Sequence, residues 1–177
     1  MRKNKAVYLF LTLFFILLIF SSSVLAEGKI GNFSARTIEG ETITEEIFKK
    51  ADLTMLNVWG TFCPPCLREM PELGKLAAEL ADEGVQIIGL VCDWTDKSGN
   101  GDKDQIEKAS RLVQQTGAYY LHLLLDDSLQ RYLGNIFAVP QTYFVDKNGA
   151  ILAAVTGARS GRQWKDIIFQ LLPYVQQ

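Results

Sequence analysis

No run of like charges in this sequence is longer than two residues, and acids barely outnumber bases, 20 Asp and Glu against 18 Lys and Arg. Such a chain offers no track for a polyanion, which excludes nucleic acid, or an anionic bilayer held by charge, as the main partner. Internal repeats and low-complexity tracts are missing beyond the N-terminus, so one ordinary globular domain is expected. Histidine occurs once, at His122, and cysteine three times, at Cys63, Cys66 and Cys92. Those four meet the arithmetic of a Cys₃His zinc site, but structural zinc sites pair two close-spaced ligand knuckles and only one close pair exists here. No metal is expected. His122 lies in an apolar stretch and is expected to pack or sit at a strand edge.

Charge is also absent from residues 6–26, behind a basic start of Arg2, Lys3 and Lys5. Residues 6–20 are densely apolar, and three serines then lead to Val24, Leu25 and Ala26, an order that suits a secretory signal cleaved after Ala26. An uncleaved membrane anchor is the rival, since the uncharged stretch is 21 residues long and about 20 span a bilayer. Either way the basic end stays inside and residues 27–177 lie on the extracytoplasmic side. Those 151 residues, from a chain of 177, can bury a sizeable core. Losing three of the 18 bases leaves 15 against 20 acids, a balance of −5.

An odd cysteine count in an exported protein leaves one thiol over. Cys63 and Cys66 are three positions apart, and a bond closing so small a loop adds little stability. Redox use explains them better. Cys92 reads as a small buried hydrophobe.

The hydrophobic pattern predicts an N-terminal hairpin over residues 32–36 and 41–44, a helical turn over 45–50 and a buried strand over 53–59. A helix is expected over 64–81, with Leu67, Met70, Leu73, Leu76, Ala77 and Leu80 on one stripe. Pro64 and Pro65 fit its first turn, Pro71 predicts a kink, and Gly84 follows as a left-handed cap. A second buried strand over 85–91 completes a right-handed βαβ unit with parallel strands. Next come a polar loop over 95–104, a helix over 106–116, a strand over 119–125 and a short helix over 129–137. A hairpin over 141–155 and an amphipathic helix over 161–175 close the chain. The sum is an α/β fold with a central mixed sheet flanked by helices, an N-terminal hairpin and a helical insertion.

Placed at a strand-to-helix junction, Cys63 stands at a helix N-terminus, where free N–H groups and the macrodipole stabilise a thiolate. Cys66 lies one turn inside, close enough to bond with it. A dithiol that exchanges with other disulfides needs an attacking thiolate, a resolving thiol and access to both. Cys63 takes the first role and Cys66 the second.

The segment Trp59-Gly60-Thr61-Phe62-Cys63-Pro64-Pro65-Cys66 resembles the active site of thioredoxin-like proteins. Cys66-Leu67-Arg68-Glu69-Met70-Pro71 is similar to the exported thiol–disulfide oxidoreductases related to ResA, TlpA and the cytochrome c maturation thioredoxins. The likeness extends to Val139-Pro140-Gln141-Thr142-Tyr143-Phe144 and covers nearly all of residues 27–177. It implies a thioredoxin fold, a cis bond before Pro140, and a loop there that faces the dithiol and docks an extended substrate strand. Trp59, Phe62, Pro64, Pro65, Val139 and Pro140 are accordingly expected on the substrate-binding surface, with Trp94 a further candidate and core packing the default alternative for the three aromatic residues. It further implies reduction of protein disulfides such as those of apocytochrome c, recycling by a membrane electron donor of the CcdA/DsbD type, and no cofactor beyond the redox-active Cys63–Cys66 disulfide.

Thioredoxin carries a buried Asp six positions before its first cysteine, where this chain has Asn57, which cannot titrate. Glu69, three residues after Cys66 on a similar helix face, is the compensating carboxylate, and the ResA-like branch has a functional glutamate there. The Pro64-Pro65 pair lacks the histidine that stabilises the thiolate in strongly oxidising relatives, which favours a reductase. Three other functions stay open on residues alone: a disulfide oxidase or isomerase, a peroxiredoxin-like peroxidase, and a binding domain whose Cys63–Cys66 bond is structural.

Overall fold

A computed structural model describes residues 28–176. The expected signal or anchor, residues 1–26, lies outside the described residues. Among the described residues no helix is long and apolar enough to cross a membrane.

The order is β1 (Ser34–Arg36), β2 (Thr42–Thr44), a 3₁₀ turn (Glu45–Lys50), β3 (Leu53–Trp59), α1 (Pro64–Leu80), β4 (Val85–Val91), α2 (Lys103–Thr116), β5 (Leu121–Leu124), α3 (Asp127–Leu133), β6 (Gln141–Asp146), β7 (Ile151–Thr156) and α4 (Gly161–Val175). Five strands form one sheet in the order β5-β4-β3-β6-β7, and β1-β2 form a separate hairpin. The β3–β4 and β4–β5 pairs are parallel, and β3–β6 and β6–β7 antiparallel, so the sheet is mixed as expected. The hairpin joins the β5 edge where Ile38 N–H donates to His122 O at 3.1 Å.

Central strand β3 is buried at all seven positions because both sheet faces are covered. Its even positions, Leu56 and Val58, pack with Phe33, Phe48, Leu129 and Val145 beneath the hairpin and α3. Its odd positions, Leu53 and Met55, meet the α1 stripe and Trp164 of α4. Further along, Trp59 joins Met70, Ala109 and Val113 under α1 and α2. Period-two alternation therefore fixes that Asn57, an odd position, points toward α1.

The expected helix over 129–137 is corrected to Asp127–Leu133. Asp126 caps it by accepting from Leu129 N–H at 3.2 Å, and Gly134, with φ 70°, stops it. Apolar Ile136 and Phe137 extended the apparent period past that stop. Similarly α2 starts three residues earlier than expected, on the Asp102 cap, and β5 starts at Leu121 rather than Tyr119. Pro71 sits inside α1 without ending it.

Candidate active site

Cys63 is the N-cap of α1, with Pro64 and Pro65 in the first turn, where backbone N–H groups have no helical partner to lose. Cys63 and Cys66 are joined by a disulfide, and Cys66 N–H donates to Cys63 Sγ at 3.2 Å. On reduction the same N–H and the helix N-terminus stabilise a Cys63 thiolate. Cys66 is 0% exposed and Cys63 only 4%. The expectation that both sulfurs are accessible is thus corrected: the second has no exposed surface, as suits a thiol that attacks only its neighbour.

The Val139–Pro140 peptide is cis, and Val139 O lies 3.6 Å from Cys63 Sγ. Pro140 is buried, Val139 and Pro65 are half-buried, and Pro64 is exposed. Phe62 stands 64% exposed directly before Cys63, and Phe137 is 89% exposed two residues before Val139. Trp59, by contrast, has no exposed surface, and its Nε1–H donates to His122 Nδ1 at 3.2 Å. It is a buried prop and is removed from the substrate-binding set. Trp94 is half-buried, donating to Leu125 O at 2.7 Å.

Glu69 lies one turn beyond Cys66 and is 3% exposed. Its Oε1 accepts from Asn57 Nδ2 at 3.0 Å, and its Oε2 from Arg159 N–H at 3.0 Å and Trp164 Nε1–H at 3.2 Å. Burial raises its pKa above the ordinary 4.5, and these bonds oppose the rise without cancelling it. A solvated surface glutamate is thereby excluded. Asn57 also donates to Thr142 Oγ1 at 3.1 Å.

Strand register explains why polar groups gather here. Asn57 pairs with Gly89 and Thr142, and Gly89 with His122, so His122, Gly89, Asn57 and Thr142 form one lateral row on the α1 side of the sheet. His122 bonds Ala118 O at 3.0 Å through Nε2, which leaves Nδ1 to accept from Trp59. Burial pushes its pKa down to about 4, so the ring is neutral, not a cation beneath the dithiol. Gly89 makes room for this pair, because a Cβ there would meet His122 Nδ1 and Trp59 Nε1. Gly89→Ala is expected to cost about 1–3 kcal/mol by overpacking and to lower the melting temperature by several degrees in a thermal melt. An unchanged melt would show that the row can shift.

The chain matches the AhpC/TSA family over residues 27–154. It belongs to that family. Thiol:disulfide interchange protein DsbE of Haemophilus influenzae is 35% identical over 128 residues, which cover 71% of this chain and 62% of that protein. The chain thus spans less than two thirds of that relative's length. Thiol-disulfide oxidoreductase ResA of Bacillus cereus is 27% identical over 142 residues, covering 80% of this chain and 76% of the relative. Among solved structures, a thiol:disulfide interchange protein of the thioredoxin family from Chlorobium tepidum matches with a TM-score of 0.68 and 20% identity, over 86% of this chain and 99% of that one. That likeness shows the thioredoxin fold.

In this AhpC/TSA member the structure adds site residues that sequence reasoning missed. Asp93 accepts from Thr61 N–H at 3.0 and 3.1 Å and from Thr61 Oγ1 at 2.6 Å, clamping the loop that leads to Cys63. A signal for it existed: β3 and β4 are parallel, so the residues following Trp59 and Val91 emerge side by side. Arg159 and Trp164 reach Glu69 from the other end of the chain, with no signal of their own. Cys92 is half-buried, and burial, then the Asp93 charge, pushes its pKa up to about 11, which leaves it a poor nucleophile.

Proposed function

We propose that this chain is an extracytoplasmic thiol–disulfide oxidoreductase that reduces protein disulfides through Cys63 and Cys66. The observation that carries this reading is the Cys63–Cys66 disulfide at the α1 N-terminus, with the Cys66 N–H on Cys63 Sγ and a buried carboxyl one turn deeper. In the reduced protein the Cys63 thiolate attacks one sulfur of a substrate disulfide. A Cys63–substrate bond forms, the substrate bond breaks, and the released substrate sulfur takes up a proton. Cys66 then gives its proton to the Glu69 carboxylate and attacks Cys63 Sγ. The second substrate sulfur leaves as a thiolate, and two electrons have passed to the substrate.

Phe62, Pro64, Pro65, Val139 and Pro140 belong to the rim of the dithiol in this reading, and Phe137 extends it. Exposed rings beside a nearly covered sulfur suit an extended polypeptide that brings its own disulfide to Cys63. Apocytochrome c is the substrate we propose, with re-reduction by a membrane donor of the CcdA/DsbD type. Residues 1–26 act as signal or anchor, residues 27–177 as the thioredoxin-like domain, and no cofactor beyond the dithiol is needed.

The test is reduction of a peptide disulfide with dithiothreitol as electron source. Turnover above the dithiothreitol background is expected, and none would leave a binding domain with a structural disulfide. A reduction potential near the strong oxidants would reverse the electron flow, and peroxide consumption lost in Cys63→Ser would select the peroxidase reading.

A further inference from the structure

Two polar atoms in the polar layer around Glu69 are buried without a hydrogen-bond partner among the described residues, Asn57 Oδ1 and the Tyr120 hydroxyl. Buried polar groups are paired as a rule, because an unmade bond costs more than a made one gains. Asn57 touches Glu69 directly through Nδ2 at 3.0 Å. Tyr120 stands two residues before His122 on the same sheet face, its ring 4.5 Å from the imidazole between centroids. Desolvation, and then the nearby Glu69 charge, raise the Tyr120 pKa, so the phenol keeps its proton and remains a donor. A buried acceptor on an amide already bonded to Glu69, and a permanent donor near enough to feel the Glu69 charge, are complementary to a single water. A cleft of about 430 Å³ along α1, β4 and the start of β5, lined by Gly74, Ala77, Ile87 and Gly117, reaches as far as Tyr120.

We infer that Tyr120 is a positioning residue whose hydroxyl, with Asn57 Oδ1, holds an internal water against Glu69 and stabilises the charged carboxylate. This rests on the reading of Glu69 as the proton acceptor of the dithiol. The other groups that face the carboxyl are Asn57 from β3, Trp164 from α4 and Arg159 from the segment before α4. Arg159 carries the permanent charge among them, and its guanidinium is held by Gly157 O and Ala158 O at 3.1 and 3.0 Å. Neutral His122 lies behind Tyr120 and adds no charge. Tyr120 is therefore the neighbour whose loss changes the stabilisation of the carboxylate without removing a charge or a direct bond to it.

The experiment is a ¹³C NMR titration of the Glu69 carboxyl in the oxidised full chain, where Cys63 and Cys66 do not titrate, for wild type and Tyr120→Phe. The variant midpoint is expected to move up, so that the carboxylate-to-acid ratio at a fixed pH falls about tenfold, the worth of one charge-assisted hydrogen bond. Water-to-Tyr120 cross-relaxation in the wild type is expected as well, and needs no variant to fold. An unmoved Glu69 midpoint would show that the hydroxyl does not act on the carboxylate and overturn the inference, as would wild-type cross-relaxation that finds no water. These readouts need no turnover. A wild type that reduces no peptide disulfide sinks the proposed function separately.

Discussion

Cys66→Ser is expected to turn the protein into a trap that stays covalently attached to its substrate through Cys63, whereas Cys63→Ser abolishes exchange, by roughly 10³-fold or more, since it removes the attacking thiolate. The asymmetry follows from burial. Cys66 is 0% exposed, so it cannot meet a substrate disulfide. Cys63 has a thin exposed edge beside Phe62 and the Val139 carbonyl, and only it has the first-turn Cys66 N–H to hold its charge. Mass spectrometry of the reduced Cys66→Ser protein after incubation with a peptide disulfide reads the result directly. An adduct on Cys63 is expected. An adduct on Cys66 in the Cys63→Ser protein, formed as fast, would reverse the roles and discard the reading of the α1 N-terminus as the source of reactivity.

The skeleton of this site was legible because its strongest signals are local. The mostly apolar run over Leu53–Trp59, a three-and-four apolar stripe in α1 and two prolines at its start place Cys63 and Cys66 at a strand-to-helix junction without any knowledge of tertiary structure. The layer beneath the dithiol was not legible, because it depends on register between strands distant in sequence. Nothing local says that Gly89 lies between Asn57 and His122, or that its missing side chain admits the His122–Trp59 bond. For the same reason Trp59 read as a substrate platform although core packing is the default for such a ring. Alternation along β3 puts it on the α1 face, but only the packing of α1 and α2 over that face buries it. The misplaced end of α3 has another cause. Ile136 and Phe137 continue an apolar period, yet Phe137 is exposed, so the period there reflects no helix face. Glu69 lies between these cases: spacing put it on the Cys66 face, and the donors that hold it, Arg159 and Trp164, come from the far end of the chain.

Glu69→Gln is expected to slow resolution of the mixed disulfide by roughly 10²-fold, the lower end of what a positioned acid–base group supplies, and to erase one limb of the pH profile. A buried carboxyl with a raised proton affinity is a stronger base than a surface one, and it stands on the helix face of Cys66. In the wild type the rate of resolution therefore climbs with pH through the Glu69 midpoint, and in the variant it climbs only where hydroxide itself takes the thiol proton. Glutamine can be accommodated: its oxygen can keep the Arg159 and Trp164 donors, and a flip of the Asn57 amide turns the unpartnered Oδ1 toward the new NH₂. Stability gives an independent sign. The folded protein binds the Glu69 proton more tightly than the unfolded chain, where the group has its ordinary value of 4.5, so its contribution is fully present below that pH and is lost as pH rises through the higher folded midpoint. Wild type and variant melting temperatures should then converge at acid pH, apart from a constant offset, and diverge in favour of glutamine toward neutrality. If instead the exchange profiles superimpose while the melting curves diverge in this way, Glu69 is a buried acid that the fold carries without using it on the dithiol, and the proton of Cys66 leaves by another path.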